Sequence, residues 1–124
     1  MKLAVVGSRD FDDYELVART IGTHFYYMIN YIHSGIDNDN EIISGGARGA
    51  DKVGKQYALN CGLIYIEFPA EWNKHGKSAG FIRNQQIVNA CDVVLAFWDG
   101  KSKGTENTIA LAKKAKKPTF IVYF

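Results

Sequence analysis

The sequence predicts an α/β fold: a doubly wound, five-stranded parallel sheet in the order 3-2-1-4-5, layered between helices. Three observations carry the prediction. Short apolar runs of strand length alternate with segments whose apolar residues recur every three to four positions. Strands that alternate with helices pair in parallel through right-handed crossovers, and the crossover helices cover both sheet faces. The loops that follow strands also share a chemistry that the loops following helices lack, so the two sets sort to opposite edges of the sheet.

The elements follow in order. Leu3 to Val6 is the first strand, closed by Gly7. Tyr14, Val17, Ala18, Ile21, Phe25, Met28, Ile29 and Ile32 then predict an amphipathic helix over about 13–32, capped by Asp12 or Asp13. Gly35 to Asn40 reads as a polar loop and Glu41 to Ser44 as the second strand. Ala50, Val53, Gly54, Tyr57, Ala58 and Cys61 form the stripe of a second helix, ended by Gly62. Leu63 to Phe68 is the third strand, Pro69 to Lys77 a loop, and about Ser78 to Ala90 the third helix. Asp92 to Phe97 is the fourth strand, Asp99 to Gly104 a loop, Thr105 to Lys116 the fourth helix, and Phe120 to Phe124 the last strand.

Composition narrows the function. With 124 residues, 47% of them hydrophobic, residues 1–124 make one domain that can bury a core without disulfide or metal staples. Fifteen basic and 13 acidic residues give a net charge of +2, which excludes a disordered chain. So weak a charge gives no general polyanion signal and counts against a nucleic-acid partner. No apolar run approaches the ~20 residues of a membrane span, and the N-terminus lacks a signal-peptide pattern. A soluble cytoplasmic protein without membrane partners is expected. Cys61 and Cys91 show no metal-ligand spacing, so no metal site is expected. The predicted sheet order separates them beyond disulfide reach, as free thiols.

Ligands of such sheets sit at the carboxyl ends of the strands. The four loops there contain Gly7-Ser8-Arg9-Asp10, Ser44-Gly45-Gly46-Ala47-Arg48-Gly49-Ala50-Asp51, His75-Gly76-Lys77-Ser78-Ala79-Gly80 and Gly100-Lys101-Ser102-Lys103-Gly104-Thr105. Each carries glycine, a hydroxyl and a cation, the chemistry that holds phosphate through backbone N–H groups, hydroxyls and charge. Ser44, Gly46 and Gly49 stand where a dinucleotide fingerprint has its glycines, with Glu67 placed to grip a ribose. The first glycine of that fingerprint is replaced by serine, which argues against a dinucleotide cofactor. The third helix gives a separate pointer: its apolar stripe of Ile87, Ala90 and Cys91 continues back into Gly80, Arg83 and Asn84. An arginine there needs an anionic partner, either a ligand or a carboxylate such as Asp10, Asp51 or Asp99. Trp72 and Trp98 flank the rim, each able to stack on a base or to close a core edge. The cluster Lys113, Lys114, Lys116 and Lys117 reads as a solvated helix end.

Gly7-Ser8-Arg9, Ser44-Gly45-Gly46-Ala47-x-Gly49-Ala50-Asp51, Pro69-Ala70-x-Trp72, Gly76-Lys77-x-Ala79-Gly80-x-x-Arg83-Asn84 and Gly104-Thr105 together resemble the YspA-like branch of the SLOG superfamily. That superfamily is named for the Smf/DNA-processing proteins and the LONELY GUY phosphoribohydrolases. The resemblance implies a Rossmann-like three-layer fold with a nucleotide-type ligand in the glycine-lined rim, in proteins that sense or process nucleotide derivatives, and a possible homodimer. The implied ligand set is Gly7, Ser8, Arg9, Ser44, Gly45, Gly46, Arg48, Asp51, Arg83, Asn84, Gly104 and Thr105. The hydrolase relatives add a glutamate three residues after the Gly-Thr pair, where this chain has Thr108. Catalysis would then fall to Arg83, Asp99, Glu71 or His75, with Asp10 and Asp51 as other sources of a carboxylate near the sugar. Three functions follow in order: a nucleotide-binding sensor, an N-glycosidic hydrolase of nucleotide 5′-monophosphates, and a DNA-binding protein like the Smf relatives.

Overall fold

The computed structural model describes residues 1–26 and 39–124. Among the described residues five strands form one parallel sheet: β1 (Lys2–Gly7), β2 (Glu41–Ser44), β3 (Ile64–Glu67), β4 (Val93–Trp98) and β5 (Thr119–Tyr123). Their order is β3-β2-β1-β4-β5, as the sequence predicts. The helices are α1 (Tyr14–His24), α2 (Ala50–Asn60), α3 (Trp72–His75), α4 (Ala79–Ala90) and α5 (Lys103–Lys114).

The middle of the sheet explains the unbroken apolar runs. Leu3 and Val5 of β1 join Leu95 and Phe97 of β4 in the core under α1 and α2. Ala4, Val6, Val94 and Ala96, between them in sequence, enter the opposite core under α4 and α5. A strand buried on both faces has no polar side to alternate with. Each fully buried Leu, Ile or Val adds roughly 1.5–3 kcal/mol, so Leu95→Ala should cost about 2–5 kcal/mol. Gly54 lets α2 lie against β1, since a Cβ there would stand 2.9 Å from the Val5 side chain.

Asp13 caps α1 by accepting from the Leu16 N–H at 3.0 Å. The first helix, expected over about 13–32, ends at His24, where the Phe25 N–H donates to the Ile21 carbonyl; residues 27–32, and most of the loop after them, lie outside the described residues. The predicted loop Pro69–Lys77 instead contains the single turn α3 and enters a 3₁₀ turn, Gly76–Ser78. One helical turn is too short to show a period in sequence. Cys61 and Cys91 are free thiols, and they pack into opposite cores.

Register sets the functional edge. Gly7 pairs with Phe97 across β1 and β4, and Ser44 with Glu67 across β2 and β3. The carboxyl ends of the strands therefore finish together, and the glycine loops leave from one side. Between β1 and β4 the chain's direction of travel across the sheet reverses, which opens a crevice.

Candidate functional site

That crevice is a cavity of about 310 Å3 between the first turns of α2, α4 and α5, lined by Gly7, Asp51, Arg83, Asn84, Gly104 and Thr105 among others. Two further depressions continue from it along the rim. One, of about 450 Å3, is bounded by Gly45, Gly46, Arg48 and Trp72. The other, of about 190 Å3, is bounded by Trp72, Lys77 and Phe81. Arg9 and Arg83 line all three.

Arg83 is half-buried, and its placement is specified by its neighbours. Its Nη1 donates to the Gly45 carbonyl at 2.9 Å and its Nε to Asn84 Oδ1 at 3.0 Å. Asn84 is buried and donates through Nδ2 to the Gly104 carbonyl at 3.3 Å and to Asn107 Oδ1 at 3.0 Å. It thereby ties α4 to the start of α5 while steering the guanidinium. Gly45 leaves open the space that the Arg83 guanidinium occupies, because a Cβ there would overlap it. Among the described residues no carboxylate lies within 4.0 Å of Arg83. The structural ion pair weighed in the sequence, with Asp10, Asp51 or Asp99, is not formed.

Asp51 is the acid of the crevice. Its Oδ2 accepts from the Gly45 N–H at 3.1 Å and the Ala47 N–H at 3.2 Å. Burial raises its pKa to about 6; the Ala47 N–H, the Arg83 charge and the Gly45 N–H pull the other way. Two of the backbone donors that a phosphate fingerprint would present are thus already taken by the chain's own carboxylate.

The two serines of the expected set face inward. Ser8 donates its N–H to the Phe97 carbonyl at 2.9 Å, and its Oγ accepts from the Asp99 N–H at 3.1 Å. Ser44 is fully buried, with its Oγ 2.6 Å from the Tyr65 hydroxyl, which in turn donates to Glu67 at 2.9 Å. Both brace the loops from beneath. Gly7, Arg9, Gly45, Gly46, Arg48, Asp51, Arg83, Asn84, Gly104 and Thr105 line the depressions themselves.

Of the four catalytic candidates, only Arg83 lines these depressions. Asp99 folds its own loop: Oδ1 accepts from the Lys101 and Ser102 N–H groups, both at 2.8 Å, and these bonds hold its carboxyl below the usual range. Glu71 pairs with His75 at 3.6 Å and Lys74 at 3.9 Å around the short turn α3, outside the crevice. Thr108, at the glutamate position of the hydrolase relatives, is buried and donates to the Gly104 carbonyl at 3.2 Å.

The tryptophans divide. Trp98 closes the core edge, its Nε1 donating to the Ser102 carbonyl at 3.1 Å and its ring 5.8 Å from that of Tyr123. Trp72 remains 52% exposed over the depressions, and Phe81, off the apolar stripe of its helix, is 58% exposed beside it. Sequence reasoning missed Phe81; an apolar residue on the polar side of a helix was the available signal. It also missed Lys117, whose ammonium donates to the Val88, Asn89 and Cys91 carbonyls and so caps the end of α4.

Fold and site define a Rossmann-like α/β domain with a cation-lined crevice at its switch point. Residues 1–75 match the model of the YspA, cpYpsA-related SLOG family, and the chain belongs to that family. It is 40% identical over 85 residues to the gene 61 protein of Mycobacterium phage D29, covering 62% of this chain and 66% of that protein. DNA processing protein A from Helicobacter pylori, solved for its single-stranded DNA binding mode, superposes with a TM-score of 0.66 at 24% identity, over 98% of this chain and 64% of that one. DNA processing protein A from Streptococcus pneumoniae gives 0.70 at 23%, over 97% of this chain and 49% of that one. A molybdenum cofactor binding protein from Rippkaea orientalis gives 0.69 at 23%, over 99% and 76%. At these identities the likeness establishes the fold.

The expectation against nucleic acid does not stand: this fold is shared with a protein solved in connection with single-stranded DNA binding. The error lay in reading a whole-chain sum. The net charge is only +2, yet Arg9, Arg48, Lys77 and Arg83 gather along one edge. Among the described residues, no helix is long and apolar enough to cross a membrane.

Proposed function

We propose that this domain binds a nucleotide-derived ligand by its phosphate in the crevice between β1 and β4. One observation carries the reading: a half-buried arginine, held by hydrogen bonds to Asn84 and to the Gly45 carbonyl, forms no ion pair among the described residues and lines a cavity. A half-buried cation with no direct ion pair is unfavourable, and a ligand phosphate relieves it. The first turn of α5, with Thr105, adds backbone donors and the positive end of the helix dipole on the facing wall. A charge-assisted bond of this kind is worth roughly 1.5–3 kcal/mol. Arg83→Ala should therefore weaken nucleotide affinity by about tenfold to over a hundredfold in calorimetric titration, with little change in melting temperature. Unchanged affinity at unchanged stability would put the phosphate elsewhere. Recovery of the ligand intact after incubation separates binding from hydrolysis.

A second reading rests on the exposed rings of Trp72 and Phe81 among the rim cations. Aromatic rings interleaved with positive charge suit single-stranded nucleic acid, whose bases stack while its phosphates pair. Anisotropy titrations with an oligothymidylate at several salt concentrations test it. Salt-dependent binding without mononucleotide affinity would favour this reading over the first.

A further inference from the structure

The crevice is not the whole of the charged edge. The outer depression, about 450 Å3, adjoins it through Arg9, Ala47 and Arg83 and has an arginine of its own, Arg48. Arg48 is exposed and forms no ion pair among the described residues. Arg48 lines the outer depression and not the inner crevice, so a single phosphate seated in the crevice at Arg83 supplies it no anion. Trp72 stands in the wall that the two outer depressions share. Its ring tip rests on α4 at Gly80, where a Cβ would lie 3.4 Å from it, and the residue stays 52% exposed. A large ring held against a helix and open to a cation-lined trough is a platform for a flat, electron-rich ring.

We infer that the ligand carries two phosphate positions flanking a nucleobase: one phosphate at Arg83 in the crevice, the base on Trp72, and the second phosphate at Arg48. This inference rests on the crevice phosphate proposed above and extends it to a ligand class, a dinucleotide unit rather than a mononucleotide. The combined trough falls in the size range of ordinary ligand sites, roughly 300–1,000 Å3 each. Arg9 lies at the junction of both depressions and serves either phosphate. The same unit occurs as a free dinucleotide and as the end of a single strand.

Calorimetric titration with adenosine monophosphate, the 5′-phosphorylated dinucleotide pApA and a 5′-phosphorylated twelve-residue adenylate strand tests the inference on wild type, Arg48→Ala, Trp72→Ala and Arg83→Ala. The dinucleotide should bind wild type at least tenfold more tightly than the monophosphate. In Arg48→Ala that ratio should fall toward one, whereas Trp72→Ala, which removes the platform for the base that both ligands share, should weaken both by roughly five- to hundredfold and keep the ratio. Arg83→Ala should weaken both ligands and keep the ratio. A dinucleotide that binds wild type no more tightly than the monophosphate, or a ratio untouched by Arg48→Ala, overturns the inference while leaving the crevice phosphate in place. Loss of Arg83 without effect on either ligand overturns the crevice reading instead. A strand that binds more tightly than pApA, with the same dependence on Arg48 and Trp72, supports the inference with a strand end as the source. Both exposed side chains can be removed without touching the core, and melting curves check that they were.

Discussion

Replacing Asp51 by asparagine removes the carboxylate that the chain has drawn into the crevice between β1 and β4, and it should make the protein more stable at neutral pH. In the folded chain burial lifts the Asp51 pKa from 3.8 to about 6, against the pull of two backbone N–H groups and the nearby Arg83 charge. The sign follows from proton counting. Between about pH 4 and 6 the folded chain holds a proton at Asp51 that the unfolded chain has lost, so stability falls as pH rises through this window and is flat above it. The gap of about two pH units, at 1.36 kcal/mol each, makes the ionised carboxylate cost about 3 kcal/mol above pH 6. Asparagine pays no such cost, and its carbonyl oxygen can still accept from Gly45 and Ala47 as Oδ2 does. At pH 8 Asp51→Asn should gain up to about 3 kcal/mol, roughly 10 °C in melting temperature for a domain of this size. At pH 4, where Asp51 is protonated in the folded chain and still about half protonated in the unfolded one, most of that difference should be gone and the two proteins should melt within a few degrees of each other. Urea denaturation and thermal melts across pH 4–8 measure both limits. A variant less stable than wild type at pH 8, by the same margin as at pH 4, would show that the carboxylate's hydrogen bonds outweigh its burial and would refute the reasoning.

Gly45→Ala should displace the Arg83 guanidinium, because the new methyl needs the space it occupies. Since the obstacle is the far end of a flexible side chain, calorimetry should show about tenfold weaker nucleotide binding with a melting temperature within a few degrees of wild type; unaltered binding would mean that the position of Arg83 is not what the ligand reads. Lys117→Met should cost about 1–3 kcal/mol in urea denaturation, as three carbonyls at the end of α4 lose a charged donor; a loss under about 0.5 kcal/mol would mean that water replaces the cap. Thiol titration of the unfolded, unreduced chain should find two free thiols per chain. In the native protein Cys91 should react far more slowly than Cys61, because burial covers its sulfur and raises its pKa; equal rates would contradict the packing.

The sheet was legible because its central strands are buried on both faces. Leu3 to Val6 and Val94 to Phe97 leave no polar position that could suggest an amphipathic alternative. That the strands run parallel was legible from the βα alternation and from the loops, since the combination of glycine, hydroxyl and cation read at the strand ends sorts those loops to one edge. Arg83 and Asn84 stood out because they occupy a helix face that elsewhere carries Ile87 and Cys91. What sequence could not show was direction. Ser8 and Ser44 look like ligand donors in a string of letters, and only the fold turns them under the loops. Lys117 looks like one of four solvated lysines, and its acceptors lie 26 to 29 residues away. Charge was misread for the same reason: a sum over the chain carries no information on where the cations lie.

The placement of Asp51 also bears on whether a bound nucleotide would be cut. A glycosidic bond breaks through a cation-like sugar, which needs an ionised carboxylate beside the ring and an acid on the leaving group. Along the α5 wall Thr108 spends its hydroxyl on the helix backbone, and Asp99 spends its carboxylate on the loop before it. Glu71 and His75 hold each other outside the crevice. Asp51 is then the carboxylate left in the crevice lining, and its Oδ2 is tied to the floor by Gly45 and Ala47. It also feels the charge of Arg83, the residue that would receive the phosphate, so it sits at the phosphate end of a bound nucleotide. An acid there can tune how tightly the phosphate is held, but it stands at the wrong end to stabilise the sugar. For a nucleotide held by its phosphate at Arg83, the acid of the crevice would stand at the phosphate rather than at the sugar, and it is the side chain that sequence alone would have assigned to the ligand.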